Sequence, residues 1–91
     1  MKKFRVYSAN YCTFCKKTIM LLMYKGFHFE VIDVTDNDVA RMMLKEATGK
    51  ATVPQIYLNG RLIGGYTDLA ALDESGELDT LIIGVNDGEN R

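Results

Sequence analysis

An asparagine–glycine pair divides two short apolar runs in the second half of the chain. Asn59-Gly60 lies between a run at 55–58 and a run at 61–63. Asparagine and glycine tolerate the two positive φ angles of a type I′ turn, so this segment is predicted to form a tight antiparallel hairpin. Any fold for the chain must contain these two neighbouring antiparallel strands.

Strand and helix patterns alternate before the hairpin. Residues 4–7 and 27–34 are rich in aromatic and β-branched side chains, which favours strands. A helical pattern lies between them, and a crossover through a helix normally makes two strands parallel. The order is therefore β-α-β-α-β-β-α, which predicts a mixed sheet flanked by helices.

Apolar spacing and glycine positions set the predicted helices. The first starts at the cysteines and ends at Gly26, the second ends at Gly49, and the third ends near Gly76, with one more turn packing through 78–82. The second helix takes its N-cap from Thr35 or Asp36. The apolar face of the first helix is assigned to Cys15, Ile19, Leu22 and Met23, and that of the second to Val39, Met42, Met43 and Ala47. Met20, Met23, Met42 and Met43 are interpreted as core side chains.

Charge and composition exclude several classes of protein. Eleven Lys+Arg against twelve Asp+Glu give a net charge of -1, which argues against a partner that is nucleic acid or an anionic membrane surface. No apolar run approaches the roughly 18 residues that span a bilayer, and the N-terminal segment lacks the apolar centre of a signal peptide. Two cysteines are too few for a disulfide-stapled secreted scaffold. We expect a cytoplasmic monomer in which a close cysteine pair has a chemical role.

The cysteines of Cys12-Thr13-Phe14-Cys15 follow a strand pattern and open a helix. Free N–H groups at a helix N-terminus stabilise an anion, which favours a thiolate at Cys12. Cys15 lies on the apolar face and should point inward. We predict that Cys12 attacks a disulfide and that Cys15 resolves the mixed disulfide.

A substrate site beside Cys12 is required by the chemistry of thiols. A more acidic thiol is ionised more often but is a weaker nucleophile, and the two effects nearly cancel. Placement of the incoming disulfide must therefore supply much of the rate. A zinc site is a poor alternative, because it needs four ligands and the single histidine, His28, is far from the pair in sequence. We interpret His28 as solvated or packing, and Lys16 and Lys17 as a solvated helix face.

Three separated motifs follow one another along the chain: Cys12-Thr13-Phe14-Cys15, Thr52-Val53-Pro54, and Gly64-Gly65 followed by Tyr66-Thr67-Asp68. Together they resemble the motifs of the glutaredoxins, which have a thioredoxin-like α/β fold. The resemblance covers residues 4–83. It implies a four-stranded mixed sheet flanked by helices in one domain, 1–83, followed by a polar, frayed tail, 84–91.

The same resemblance implies a site for glutathione. Pro54 should follow a cis bond that leaves the Val53 backbone facing an extended peptide. Lys50 should meet the glycine carboxylate, and Thr67 and Asp68 the γ-glutamyl end, although Asp68 could also serve only as a helix cap. The implied glutathione-binding residues are Phe14, Lys50, Thr52, Val53, Pro54, Gly65, Tyr66, Thr67 and Asp68.

The activity implied is that of a glutathione-dependent thiol–disulfide oxidoreductase acting in electron transport and cell redox homeostasis. Its catalytic dithiol would be Cys12 and Cys15, its co-substrate glutathione, and its cycle would need no metal. Its partners would be disulfide-bearing or glutathionylated proteins, with ribonucleotide reductase among the candidates.

Two departures from the family pattern keep alternatives open. Thr13 stands in place of the usual proline, and some glutaredoxins with a small polar residue there resemble dimeric carriers of a glutathione-ligated [2Fe–2S] cluster. Ala9 stands where many members have a lysine, so we expect weaker thiolate stabilisation and weaker capture of glutathione. A second alternative is a redoxin that serves ribonucleotide reductase and is reduced by thioredoxin reductase. Such redoxins carry an aromatic-serine-glycine pattern where Gly64-Gly65 and the residues after it stand here.

Overall fold

A computed structural model describes residues 3–81 of the chain. Seven elements follow one another: β1 (Phe4–Ser8), α1 (Thr13–Lys25), β2 (Phe29–Asp33), α2 (Asp38–Thr48), β3 (Gln55–Leu58), β4 (Arg61–Gly64) and α3 (Tyr66–Ser75). The strand β2 is shorter than the predicted 27–34, and α1 begins two residues before Cys15. A further helical turn at 77–81 follows Gly76. The predicted tail 84–91 and the packing of Ile82 lie outside the described residues.

The four strands form one mixed sheet in the order β2-β1-β3-β4. The strands β1 and β2 are parallel, whereas β1 with β3 and β3 with β4 are antiparallel. Asn59 and Gly60 have φ angles of 51° and 84°, so the type I′ hairpin is confirmed. The crossover through α1 brings the end of β1 and the start of α1 to the same edge of the sheet as the start of β3.

The main core lies on the face of the sheet that α1 and α3 cover. Because strand side chains alternate, Phe4, Val6 and Ser8 point into this face while Arg5 and Tyr7 point away from it. The buried cluster consists of Phe4, Val6, Leu22, Ile56, Leu58, Leu69 and Leu78. This apolar layer fixes the position of α1, and therefore of the cysteines at its start.

The predicted helix ends are confirmed, but one predicted helix start is wrong. Gly26, Gly49 and Gly76 all adopt the left-handed conformation at C-termini. The cap of α2 is neither Thr35 nor Asp36, because the Asn37 side chain accepts the N–H of Ala40 at 3.0 Å. The Thr35 hydroxyl is instead engaged by the N–H of Asn10 at 2.9 Å. It therefore ties the end of β2 to the loop before the cysteines.

The interpretation of the methionines as core side chains is wrong. Met20 and Met23 of α1 are 68% and 64% exposed, and Met42 and Met43 of α2 are 63% and 64% exposed. The predicted apolar face of α2 is therefore its outer face, with Val39 and Ala47 also exposed. Buried Leu44 and half-buried Ala40 and Arg41 face the protein instead, since Arg41 makes hydrogen bonds to the loops on either side. Apolar periodicity located these helices and assigned the wrong face to α2.

Within the described part of the chain, no helix is long and apolar enough to cross a membrane.

Candidate functional site

Cys12 is the N-cap residue of α1. Its backbone is extended (φ −94°, ψ 113°), and its sulfur accepts the N–H of Cys15 at 3.2 Å. The α1 N-terminus therefore directs one of its free N–H groups at this sulfur, as predicted, and stabilises a negative charge there. Cys12 is half-buried, so an incoming disulfide can reach it.

Cys15 has the opposite environment. Only 1% of its surface is exposed, one helical turn behind Cys12. Burial raises the pKa of the Cys15 thiol, and the neighbouring Cys12 side chain raises it further. Both cysteines are free thiols, so the pair consists of one accessible sulfur and one sheltered, protonated sulfur.

The loop before β3 brings its backbone to Cys12. The Val53–Pro54 peptide bond is cis, as predicted, and the Cys12 thiol donates to the Val53 carbonyl at 3.6 Å. This contact joins the first and second sequence motifs although they are 41 residues apart.

Two side chains that the sequence analysis missed hold this loop. Gln55 is buried and donates from Nε2 to the Lys50 carbonyl at 2.6 Å. Arg41 donates to the Ala51 carbonyl at 3.3 Å and, with its other terminal nitrogen, to the Tyr11 hydroxyl beside the cysteines. The Arg41 guanidinium therefore bridges the two loops that meet at the site. Nothing in the sequence distinguishes Arg41, whereas Gln55 could have been suspected from its place next to Pro54.

The third motif forms the opposite wall. Gly65 is the N-cap of α3, and its N–H donates to the Asp68 carboxylate at 2.9 Å. Gly64 has a φ of 128°, and a Cβ built there would lie 2.2 Å from the same carboxylate oxygen. Glycine at 64 is thus required both by its backbone and by the position of Asp68. Asp68 is a helix cap, and its second oxygen remains available for a ligand.

Two hollows lie along these walls. One of about 290 Å³ is lined in part by Lys50, Thr52, Pro54, Gly65, Thr67 and Asp68. The other, of about 200 Å³, shares some of these residues and adds Phe14, Val53 and Tyr66. All nine residues assigned to glutathione therefore line these two hollows, and their role as ligands stays a prediction.

The aromatic part of the wall continues onto α1. The rings of Phe14 and Tyr66 stack with centroids 5.9 Å apart, and the Lys17 ammonium lies 5.3 Å and 5.9 Å from their centroids. Lys17 is exposed, as predicted for a solvated face, but it also makes cation–π contacts that the sequence did not indicate. Lys16 and His28 are exposed as well.

Two larger hollows, of about 450 and 460 Å³, are lined by no residue of the three sequence motifs. One lies on the outer sheet face around Arg5 and Tyr57, and the other between Leu62 and Leu72. The chemistry therefore points to the smaller hollows, which hold the converging polar groups. Among residues 3–81, no three His, Cys, Asp or Glu side chains group as a metal site.

Comparison with known proteins agrees with this arrangement. Residues 4–63 match the family model described as Glutaredoxin. The chain is also 37% identical over 81 residues to a probable glutaredoxin of Synechocystis sp., across 88% of this chain and 92% of that protein. The chain belongs to the glutaredoxin family. This glutaredoxin is also 35% identical over 82 residues to glutaredoxin 3 of Escherichia coli strain K12, across 90% of this chain and 99% of that protein.

The fold also agrees with that of solved glutaredoxin structures. A crystal structure of a buckwheat glutaredoxin–glutathione complex superposes with a TM-score of 0.83, at 26% identity, across 91% of this chain and 78% of that one. The predicted thioredoxin-like glutaredoxin fold is confirmed. As a member of the family, this glutaredoxin is a thiol–disulfide oxidoreductase.

Proposed function

We propose that this glutaredoxin uses glutathione to reduce glutathione mixed disulfides and protein disulfides. The observation that carries the proposal is the position of the Cys12 sulfur. It lies 3.6 Å from the carbonyl of Val53, which lines the smaller of the two hollows. The larger of the two shares four lining residues with it and adds Lys50 and Asp68, and we call the two hollows together the groove. A relative of the same fold is named as a glutathione complex, which supports the same ligand here.

The charged groups along the groove support glutathione as the ligand. Glutathione is an extended tripeptide with a carboxylate at its glycine end and an α-carboxylate and an ammonium at its γ-glutamyl end. Lys50 suits the glycine carboxylate, and the free N–H groups at the start of α3 suit the other carboxylate. The outer oxygen of Asp68 suits the ammonium. The Val53 backbone can pair with the peptide between them and place its sulfur near Cys12.

The first reaction exchanges one disulfide for another. The Cys12 thiolate attacks the glutathione sulfur of a glutathionylated protein, the old S–S bond breaks, and the protein thiolate leaves and takes a proton from water. The thiolate of a second glutathione then attacks the glutathione sulfur bound to Cys12. Glutathione disulfide leaves, and the Cys12 thiolate returns.

Protein disulfides need Cys15 as well. The Cys12 thiolate attacks one sulfur of the protein disulfide, whose S–S bond breaks, and the other protein sulfur leaves as a thiolate that takes a proton from water. Cys15 then attacks the Cys12 sulfur of this mixed disulfide, and its proton passes to the second protein thiolate as it leaves. The product is a Cys12–Cys15 disulfide, which two glutathiones reduce with release of glutathione disulfide. Burial keeps Cys15 protonated until that step, since burial raises the pKa of its thiol. Cys12 therefore remains the sulfur that meets substrates.

A coupled assay tests the proposal. Wild type, Cys12→Ser and Cys15→Ser are supplied with glutathione and either a cysteine–glutathione mixed disulfide or a protein disulfide. We expect no activity without Cys12, whereas loss of Cys15 should abolish only reduction of the protein disulfide. Turnover with thioredoxin reductase but not with glutathione would refute the proposal and favour the redoxin alternative.

Two further proposals complete the function. The monomer acts in the cytoplasm, where reduced glutathione is abundant enough to drive the cycle. Ribonucleotide reductase is one candidate among its disulfide-bearing substrates. The iron–sulfur alternative predicts a brown dimer after purification without air, and loss of that colour in Cys12→Ser.

A further inference from the structure

The outer face of α1 is apolar although it faces solvent. Met20, Met23 and Tyr24 are 68%, 64% and 88% exposed. Their spacings of three and four residues make them neighbours on one helix face. Scattered exposed apolar side chains are ordinary, but a contiguous group of large ones marks an interaction site. The core does not require these side chains, because Cys15, Thr18 and Leu22 fill the inner face of the same helix.

This apolar group is continuous with the candidate site. Lys16 and Lys17 lie four and three residues before Met20, on the same face. Lys17 also contacts the rings of Phe14 and Tyr66 in the groove wall. One surface therefore runs from the groove beside Cys12 along α1 to Tyr24; we call it the α1 face.

Charge indicates what this face can bind. Residues 13–25 contain three lysines and no aspartate or glutamate, although the whole chain has a net charge of -1. Lys25 is engaged with Asp73 and Asp79 at 3.0 Å and 3.1 Å, which leaves the Lys16 and Lys17 charges facing outward. A binding segment should therefore be acidic where it meets these lysines and apolar where it meets the methionines.

We propose that the α1 face is the docking surface for protein substrates that carry an acidic, apolar segment next to the reactive cysteine. The inference rests on the proposed glutathione-dependent function and adds the class of protein that is reduced fastest. Met20 is eight residues and Tyr24 twelve residues from Cys12, so they lie about 12 Å and about 18 Å from Cys12 along the helix axis. A helix of about 8–12 residues, or an extended segment of about four or five, covers it. Flexible methionines suit such a surface because they adapt to different partners.

The test uses three glutathionylated probes. Two are synthetic peptides of equal length with one cysteine, flanked in the first by glutamate and leucine and in the second by lysine and leucine. The third is the cysteine–glutathione mixed disulfide, which occupies the groove and is too small to reach Met20, Met23 or Tyr24. We expect wild type to reduce the acidic peptide with a kcat/KM about tenfold higher than the basic peptide.

Variants assign that preference to the α1 face. Met20→Gln/Met23→Gln should lower kcat/KM for the acidic peptide about fivefold and change that for the small probe less than about twofold. Met42→Gln/Met43→Gln is the matched control, because these methionines are equally exposed on α2, and should alter neither value. Lys16→Glu should reduce the preference for the acidic peptide over the basic one.

The outcomes separate this inference from the function beneath it. Failure of wild type to reduce the small probe would refute the glutathione-dependent function. Normal reduction of the small probe with equal rates for both peptides, or equal losses in the α1 and α2 variants, would overturn only the docking surface. So would light scattering that shows a dimer in wild type and a monomer in Met20→Gln/Met23→Gln, since a second copy would then occupy the face.

Discussion

Asp68 has two roles in this account, and its carboxylate allows them to be separated. One oxygen accepts the Gly65 N–H at 2.9 Å and caps α3, while the negative charge faces the hollow that also contains Lys50. Asp68→Asn keeps an oxygen that can accept the same N–H but removes the charge. Asp68→Ala removes both.

The cap role predicts a loss of folding free energy that differs between the two variants, whereas the ligand role predicts the same rise in KM for both. Loss of the hydrogen bond in Asp68→Ala should cost about 1 kcal/mol of folding free energy, and loss of a negative charge from the first turn about 0.5 kcal/mol more. Asp68→Asn should lose only the smaller amount. An exposed ion pair with the ligand ammonium is worth at most about 1 kcal/mol, so either substitution should raise the KM for a glutathione mixed disulfide up to about fivefold.

Urea unfolding and steady-state kinetics measure the two effects on the same samples. Asp73→Asn is the control, because Asp73 lies on the same helix and pairs with Lys25 rather than facing the hollow. The increase in KM should also shrink at high salt, which screens exposed charges. A wild-type KM in Asp68→Asn together with a raised KM in Asp68→Ala would refute the ligand role and leave only the cap.

Three more outcomes follow from the geometry. Gly64→Ala should displace the carboxylate and cost about 2–3 kcal/mol in urea unfolding, whereas Gly76→Ala, with open space around it, should cost about 1 kcal/mol; equal costs would contradict the 2.2 Å contact. Burial raises the pKa of Cys15 in the folded protein. The stability that the buried, protonated thiol contributes to the reduced protein is fully present below the ordinary thiol pKa of about 8.5, and it is lost as the pH rises through the pKa of Cys15 in the folded state. Above about pH 8.5, the urea midpoint of Cys15→Ser should therefore fall less steeply with pH than that of wild type, and parallel curves for the two proteins would refute this. Arg41→Lys keeps the charge but cannot donate to both loops, so amide exchange at 51–53 should rise about tenfold, and unchanged exchange would show that the bridge is dispensable.

Local chemistry explains which parts of the fold could be predicted. Asn59-Gly60 determines its own turn, and Gly26, Gly49 and Gly76 end helices because they adopt left-handed backbone without steric cost. The strand–helix alternation then leaves few topologies. Cys12 could be placed as an N-cap because the helical pattern begins immediately after it.

Long-range contacts explain which parts could not. The methionines of α2 face outward because Arg41 faces inward, where it donates hydrogen bonds to Tyr11, 30 residues away in the sequence, and to Ala51, ten residues away. The sequence does not single out Asn37 as the cap of α2, because Thr35 has an equally suitable side chain, and only the contact with Asn10 shows that the Thr35 hydroxyl is engaged elsewhere. The cation–π contacts of Lys17 depend on Tyr66, which only the packing of α3 beside α1 brings near.

The claim that Cys12 is the sulfur that attacks the substrate can be tested by locating a single covalent adduct. Cys15→Ser, reduced and then exposed to glutathione disulfide, should take up one glutathione. Mass spectrometry of its proteolytic fragments should find that glutathione on Cys12, while Cys12→Ser treated in the same way should take up far less. Modification of Cys15 in Cys12→Ser at the rate seen for Cys12, or no adduct on Cys12 at all, would contradict the account.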